Sequence, residues 1–158
     1  MKVERFLGKN TLYAAMAVIV ALTSSCATPT KLRLYDGAQL EKEKVALITP
    51  TPGYNGIVNG RQDVYILRVD GRELSPKERD SHAVLEVMPG EHTLAIAAML
   101  QRGSQRVAFD DPKPLQYKFE GGKNYSIFCK MESGATPDQT IVRFWMEDET
   151  GKLVSGNN

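Results

Sequence analysis

The sequence predicts an all-β protein, a single small sandwich preceded by a helical export signal. Three observations carry this. Short runs of β-branched and aromatic residues recur at intervals of roughly 8–12 residues, with glycine- and proline-rich turns between them. No stretch after residue 44 holds a helical apolar period over three turns. The first 25 residues, in contrast, have the composition of a leader.

The leader comes first. Lys2, Arg5 and Lys9 stand against the single acid Glu4, and an apolar run then extends from Leu12 to Leu22. A membrane-spanning helix needs about 20 apolar residues, and this run stops short of that at Thr23-Ser24-Ser25. A buried core helix has a similar length, but the basic flank and the small residues at the end favour an export signal, with residues 1–25 cleaved. Leu22-Thr23-Ser24-Ser25-Cys26 resembles the lipobox of bacterial lipoproteins, although Thr23 stands where leucine is usual. The resemblance implies diacylglycerol on the Cys26 thiol and cleavage just before it, so that membrane lipid is the first partner. Several acyl chains, at about 0.8 kcal/mol per buried methylene, hold a domain firmly on a membrane. Ala27 follows the cysteine in place of the aspartate that retains many such proteins at the inner membrane. The resemblance therefore implies an outer-membrane protein facing the periplasm.

Residues 26–31 read as lipidated cysteine and tether, 32–150 as the sandwich and 151–158 as a disordered polar tail. Leu32 to Tyr35 opens the domain, and residues 38–44 are suited to one helical turn before a strand at Val45 to Ile48. Pro50 to Gly56 is dense in turn residues. Val64 to Val69 is a strand closed by the hairpin signal Asp70-Gly71, and Ser75 to Asp80 is a solvated loop. Ala83 to Val87, the turn Pro89-Gly90 and a longer strand from His92 to Leu100 follow, with Val107 to Phe109 placed to pair back. Leu115, Tyr117 and Phe119 alternate before the turn Gly121-Gly122. The next strand places Tyr125, Ile127, Cys129 and Met131 on one face, and Thr140 to Met146 forms the last strand. The count is roughly seven or eight antiparallel strands, better suited to a sandwich than to a barrel.

Val69-Asp70-Gly71 followed by Val87-Met88-Pro89-Gly90-Glu91-His92-Thr93-Leu94 resembles the PEGA-type surface module. In that module a strand ending in Val-Asp-Gly is joined to a Pro-Gly-x-His-x-Leu hairpin. Phe119 to Tyr125 is similar to a second hairpin found in small envelope β-domains. The likeness covers residues 64–98 well and 115–131 loosely, and Arg72 to His82 is longer and more charged than the module's usual connection. It implies an immunoglobulin- or transthyretin-like sandwich outside the cytoplasm and assigns no catalytic residues.

Residues that carry chemistry are sparse. With the basic leader removed the chain is close to neutral, and no basic stripe points to nucleic acid. If Cys26 carries lipid, Cys129 has no internal disulfide partner and reads as a small buried hydrophobe. The two histidines, His82 and His92, lie beside no nucleophile elbow, and His92 reads as a turn or strand-edge residue. Two histidines and one thiol do not make a zinc cluster, and no metal or cofactor is expected. Asp110-Asp111 and Glu147-Asp148-Glu149 lack the alternating oxygen ligands of a calcium loop and read as solvated strand ends, although a carboxylate pair that meets only in space remains open. Exposed aromatics are the remaining lead. Tyr54, in a loop, and Trp145, on a strand that also suits it to the core, are candidate contacts for a partner or a glycan.

The expected function is that of a non-enzymatic envelope lipoprotein, a structural or protein-interaction module held by Cys26. A peptidoglycan-binding module is the second reading. An envelope hydrolase with an acidic pair is the third.

Overall fold

The computed structural model describes residues 31–55, 60–79, 83–136 and 139–156. The leader, Cys26, Ser81 and His82 lie outside the described residues, as do the side chains of Tyr54 and Asp110. In chain order the strands are β1 (Lys31–Arg33), β2 (Ala46–Pro50), β3 (Gly53–Asn55), β4 (Gly60–Val69), β5 (Arg72–Glu73), β6 (Val84–Val87), β7 (Gly90–Arg102), β8 (Gln105–Phe119), β9 (Asn124–Ser133), β10 (Thr140–Asp148) and β11 (Leu153–Gly156). The helical turn expected over 38–44 is a short 3-10 turn at Lys42–Lys44.

The strands form two sheets, one ordered β1-β6-β2-β9-β10-β11 and the other β3-β4-β7-β8, with β5 paired to β4. The fold is an all-β sandwich. Alternation decides which face each strand turns inward. Ile48, Ile127, Met131, Phe144 and Met146 from the first sheet pack against Val64, Ile66, Leu94, Ile96 and Leu100 from the second. At one end of the core Phe119, Tyr125 and Tyr117 meet edge to face, with Phe119 and Tyr125 ring centroids 5.0 Å apart.

The strand count differs from the expectation because β1, β3, β5 and β11 are two to four residues long. Runs that short cannot display alternation. Nor is the pairing wholly antiparallel, since β1 runs parallel to β6 and β2 parallel to β9. The tail expected to be disordered from residue 151 instead supplies β11, which pairs with β10 after the turn at Thr150-Gly151. Asp148 fixes that turn by accepting hydrogen bonds from the Thr150 N–H at 2.9 Å and the Lys152 N–H at 3.1 Å.

Two expected hairpins also prove to be something else. Asp70-Gly71 is a true hairpin turn, with φ of 52° and 80° and Val69 paired to Arg72, as the tight I′ turn requires. Pro89-Gly90 and Gly121-Gly122, however, carry the chain from one sheet to the other, since β6 and β9 belong to the first sheet and β7 and β8 to the second. Turn residues reverse a chain equally well between sheets and within one, so the motif alone does not distinguish them. Tyr125 secures the second crossing: its hydroxyl accepts the Glu120 N–H at 3.1 Å, in the manner of the tyrosine corner of sandwich proteins.

At that crossing a Cβ on Gly121 would stand 2.5 Å from the Glu43 carbonyl oxygen. Either the 3-10 turn or the crossing would have to move, and overpacking of this kind costs about 1–3 kcal/mol. Gly121→Ala is therefore expected to lower stability by about 2 kcal/mol in urea unfolding. An unchanged midpoint would show that the Glu43 turn gives way freely.

Candidate functional site

Several described polar residues of the kinds that catalysis recruits are engaged in holding the fold. The hairpin at Asp70 places its carboxylate beside the start of β7. Asp70 Oδ1 accepts the Thr93 N–H at 2.9 Å, and Oδ2 lies 2.5 Å from His92 Nδ1. The other ring nitrogen, Nε2, faces the Met88 carbonyl at 2.8 Å. His92 is thus clasped on both sides, between the hairpin and the sheet crossing. Burial raises the Asp70 carboxyl, but the Thr93 N–H and His92 together outweigh it and hold the group below its ordinary value.

The acidic triplet is also engaged. Glu147 Oε1 accepts the Trp145 indole N–H at 2.9 Å, Asp148 closes its turn, and Glu149 pairs with Lys123 Nζ at 2.6 Å. Asp111 pairs with Lys113. Among the described residues no three His, Cys, Asp or Glu side chains gather where they could hold a metal ion. Cys129 is buried in the face shared with Tyr125, Ile127 and Met131, as the alternation predicts. Burial, with a smaller contribution from Asp63, pushes its thiol up to about 12.

Trp145 stands on the outer face of the first sheet and not among the core side chains, because Phe144 and Met146 take the inward positions of β10. Its ring stacks on Phe128 of β9, with centroids 5.4 Å apart and planes at 16°. Tyr54 lies on β3 in the other sheet, its backbone paired with Arg61. The two candidate aromatics therefore lie on strands of different sheets.

Two charged groups are buried at the sheet surfaces with their partners. Asp63 pairs with Arg61 Nε at 2.7 Å. Glu86 lies between Lys31 Nζ at 3.4 Å and the Tyr35 hydroxyl at 3.3 Å. Inside, Gln62 of β4 reaches across to the other sheet, its Oε1 accepting the Met131 N–H at 2.9 Å, while its Nε2 has no hydrogen-bond partner among the described residues.

A concavity lies over the outer face of the second sheet. It has a volume of about 490 Å³ and is floored by Tyr65, Ala97, Met99 and Ala108, with Phe109 at its edge and Lys77, Arg79 and Arg106 around it. That volume falls within the roughly 300–1,000 Å³ usual for small-molecule sites. The sequence did hold a signal for it. Leu94-Ala95-Ile96-Ala97-Ala98-Met99-Leu100 is apolar at every position, whereas a strand with one face in water alternates apolar and polar. Ala97 and Met99 face away from the core. Comparison of the chain with protein-family models, with curated proteins and with solved structures finds no match.

Asp70 has a lowered folded-state value, so its contribution is present above the unfolded value of about 3.9 and is lost as pH falls through the folded one. Asp70→Asn is expected to cost about 1 kcal/mol near neutrality, and the gap to the parent protein in urea unfolding should close in acid. A gap constant with pH would show that the charge contributes nothing. The Cys129 thiol should resist a disulfide reagent near pH 8 in a Cys26→Ala chain until denaturant is added, because the thiolate is the reacting species. Rapid labelling of the native chain would contradict its burial.

Proposed function

We propose that this chain is a membrane-anchored envelope lipoprotein whose β-sandwich works as an interaction module, acting by binding and not by catalysis. The observation that carries the reading is the placement of the lipobox-like cysteine. Cys26 lies just ahead of β1 at Lys31, so residues 27–30 are the whole tether between lipid and sandwich. Ala27, next to the cysteine, favours the outer membrane and a domain facing the periplasm. The likeness to PEGA-type modules fits the same setting. The clasped His92 and the high thiol value of Cys129 favour binding over catalysis, and the open groove of the second sheet gives binding a place.

A glycan reading would rest on Tyr54 and Trp145. Phe128 covers one face of the Trp145 ring and Glu147 takes its N–H, which leaves less of the indole for a sugar. The groove is the better-supported binding surface.

The anchor is tested in cells. Cys26→Ala is expected to release the chain from membranes, and blocking the lipoprotein signal peptidase to leave a heavier precursor. A Cys26→Ala chain that stays membrane-bound with unchanged mass overturns the reading.

A further inference from the structure

We propose that the groove on the outer face of β4, β7 and β8 binds a small anionic amphiphile, an apolar chain ending in a carboxylate or a phosphate. This deepens the reading of the sandwich as a binding module and does not depend on the lipid anchor.

The floor argues for the apolar part. Ala97 and Ala108 are small where neighbouring outward positions carry Tyr65 and Met99, so the outer sheet face is depressed along the strand direction. Ala97 is directly paired with Tyr65, and Ala108 with Met99. The Tyr65 hydroxyl lies 3.8 Å from Met99 Sδ. A narrow apolar body laid along the sheet would cover side chains that now meet water, at about 25 cal/mol for each Å² removed.

The rim argues for the anion. Its charged residues are Lys77, Arg79 and Arg106, with no acid among the described lining side chains. Arg79 is already used: its Nε donates to the Leu74 carbonyl at 2.6 Å and its Nη2 pairs with Glu73 at 2.5 Å. Lys77 and Arg106 have no ion-pair or hydrogen-bond partner among the described residues. The wall that carries Lys77 is braced. Ser75 N–H donates to Glu78 Oε2 at 2.7 Å, and Glu78 also pairs with Arg72. Two cations with no partner among the described residues, beside an apolar trough, suit a ligand that is apolar along its length and anionic at one end, since charge-assisted contacts are roughly twice as strong as neutral ones.

The test is photolabelling of the protein as purified from cells, in a mild detergent and without regard to its anchor. The probes are diazirine-bearing ten-carbon chains ending in a carboxylate, a phosphate, an alcohol or an ammonium, with labelled residues mapped by mass spectrometry. The carboxylate or the phosphate, whichever end group the rim prefers, is expected to label the groove about tenfold more than the alcohol or the ammonium. Exchanging Lys77 and Arg106 together for glutamine should remove that preference. Ala108→Phe, at an exposed position that does not threaten the core, should abolish groove labelling. Equal labelling by alcohol and acids, labelling spread evenly over the sandwich, or an Ala108→Phe chain that labels like the parent each overturns the proposal. Membrane fractionation of Cys26→Ala is read separately, so a failed anchor and a failed groove are told apart.

Discussion

Each sheet of this protein turns one apolar face inward, and the contact between those faces is the interaction on which the rest depends. Ile48, Ile127 and Met146 on one side and Leu94 and Ile96 on the other are almost wholly withdrawn from water. Two of the crossings between the layers are secured by hydrogen bonds. His92, held by Asp70, fastens the crossing at Pro89, and the Tyr125 hydroxyl fastens the crossing at Gly121. Gln62 adds a polar tie through the middle of the core to Met131. These side chains have a use before any ligand is considered.

How much of this was legible followed from length and periodicity. The Cys129 strand was readable because four alternating positions fall on one face, all of them buried. The Asp70-Gly71 hairpin was readable because an I′ turn demands residues that tolerate positive φ. Pro89-Gly90 and Gly121-Gly122 were legible as turns but not as sheet crossings. Which strand lies beside β6 is decided by β1 and β2, more than 30 residues away in sequence. The parallel pairing of β2 with β9 is hidden for the same reason. Leu153 to Gly156 reads as tail because two apolar residues do not announce a strand, whereas a neighbouring edge can recruit one.

The candidate site was less legible than the fold. Tyr54 and Trp145 stand out as aromatics, yet the groove is made by alanines, which are conspicuous only for being small. Its cations come from the loop after β5 and from β8, and only pairing of β8 onto β7 brings Arg106 to the same surface as Lys77. The unbroken apolar run of β7 was the available clue. It separates into an inner set that builds the core and an outer set that lines the groove, and that division depends on the register with β4.

Strand β8 closes one side of the second sheet, and its outer edge pairs with no other described strand. Pro112 and Pro114 fall on it, beside the irregular register opposite Ala97, and neither has an N–H to offer an incoming strand. For molecules tethered by lipid to one membrane this has a particular weight. Confinement to a surface raises the rate at which neighbours meet in nearly the same orientation, and an open strand edge is a template for sheet growth from one copy to the next. For the membrane-anchored chain proposed above, two prolines at that edge would act as a spacing device, letting copies crowd together without being stitched into a fibre.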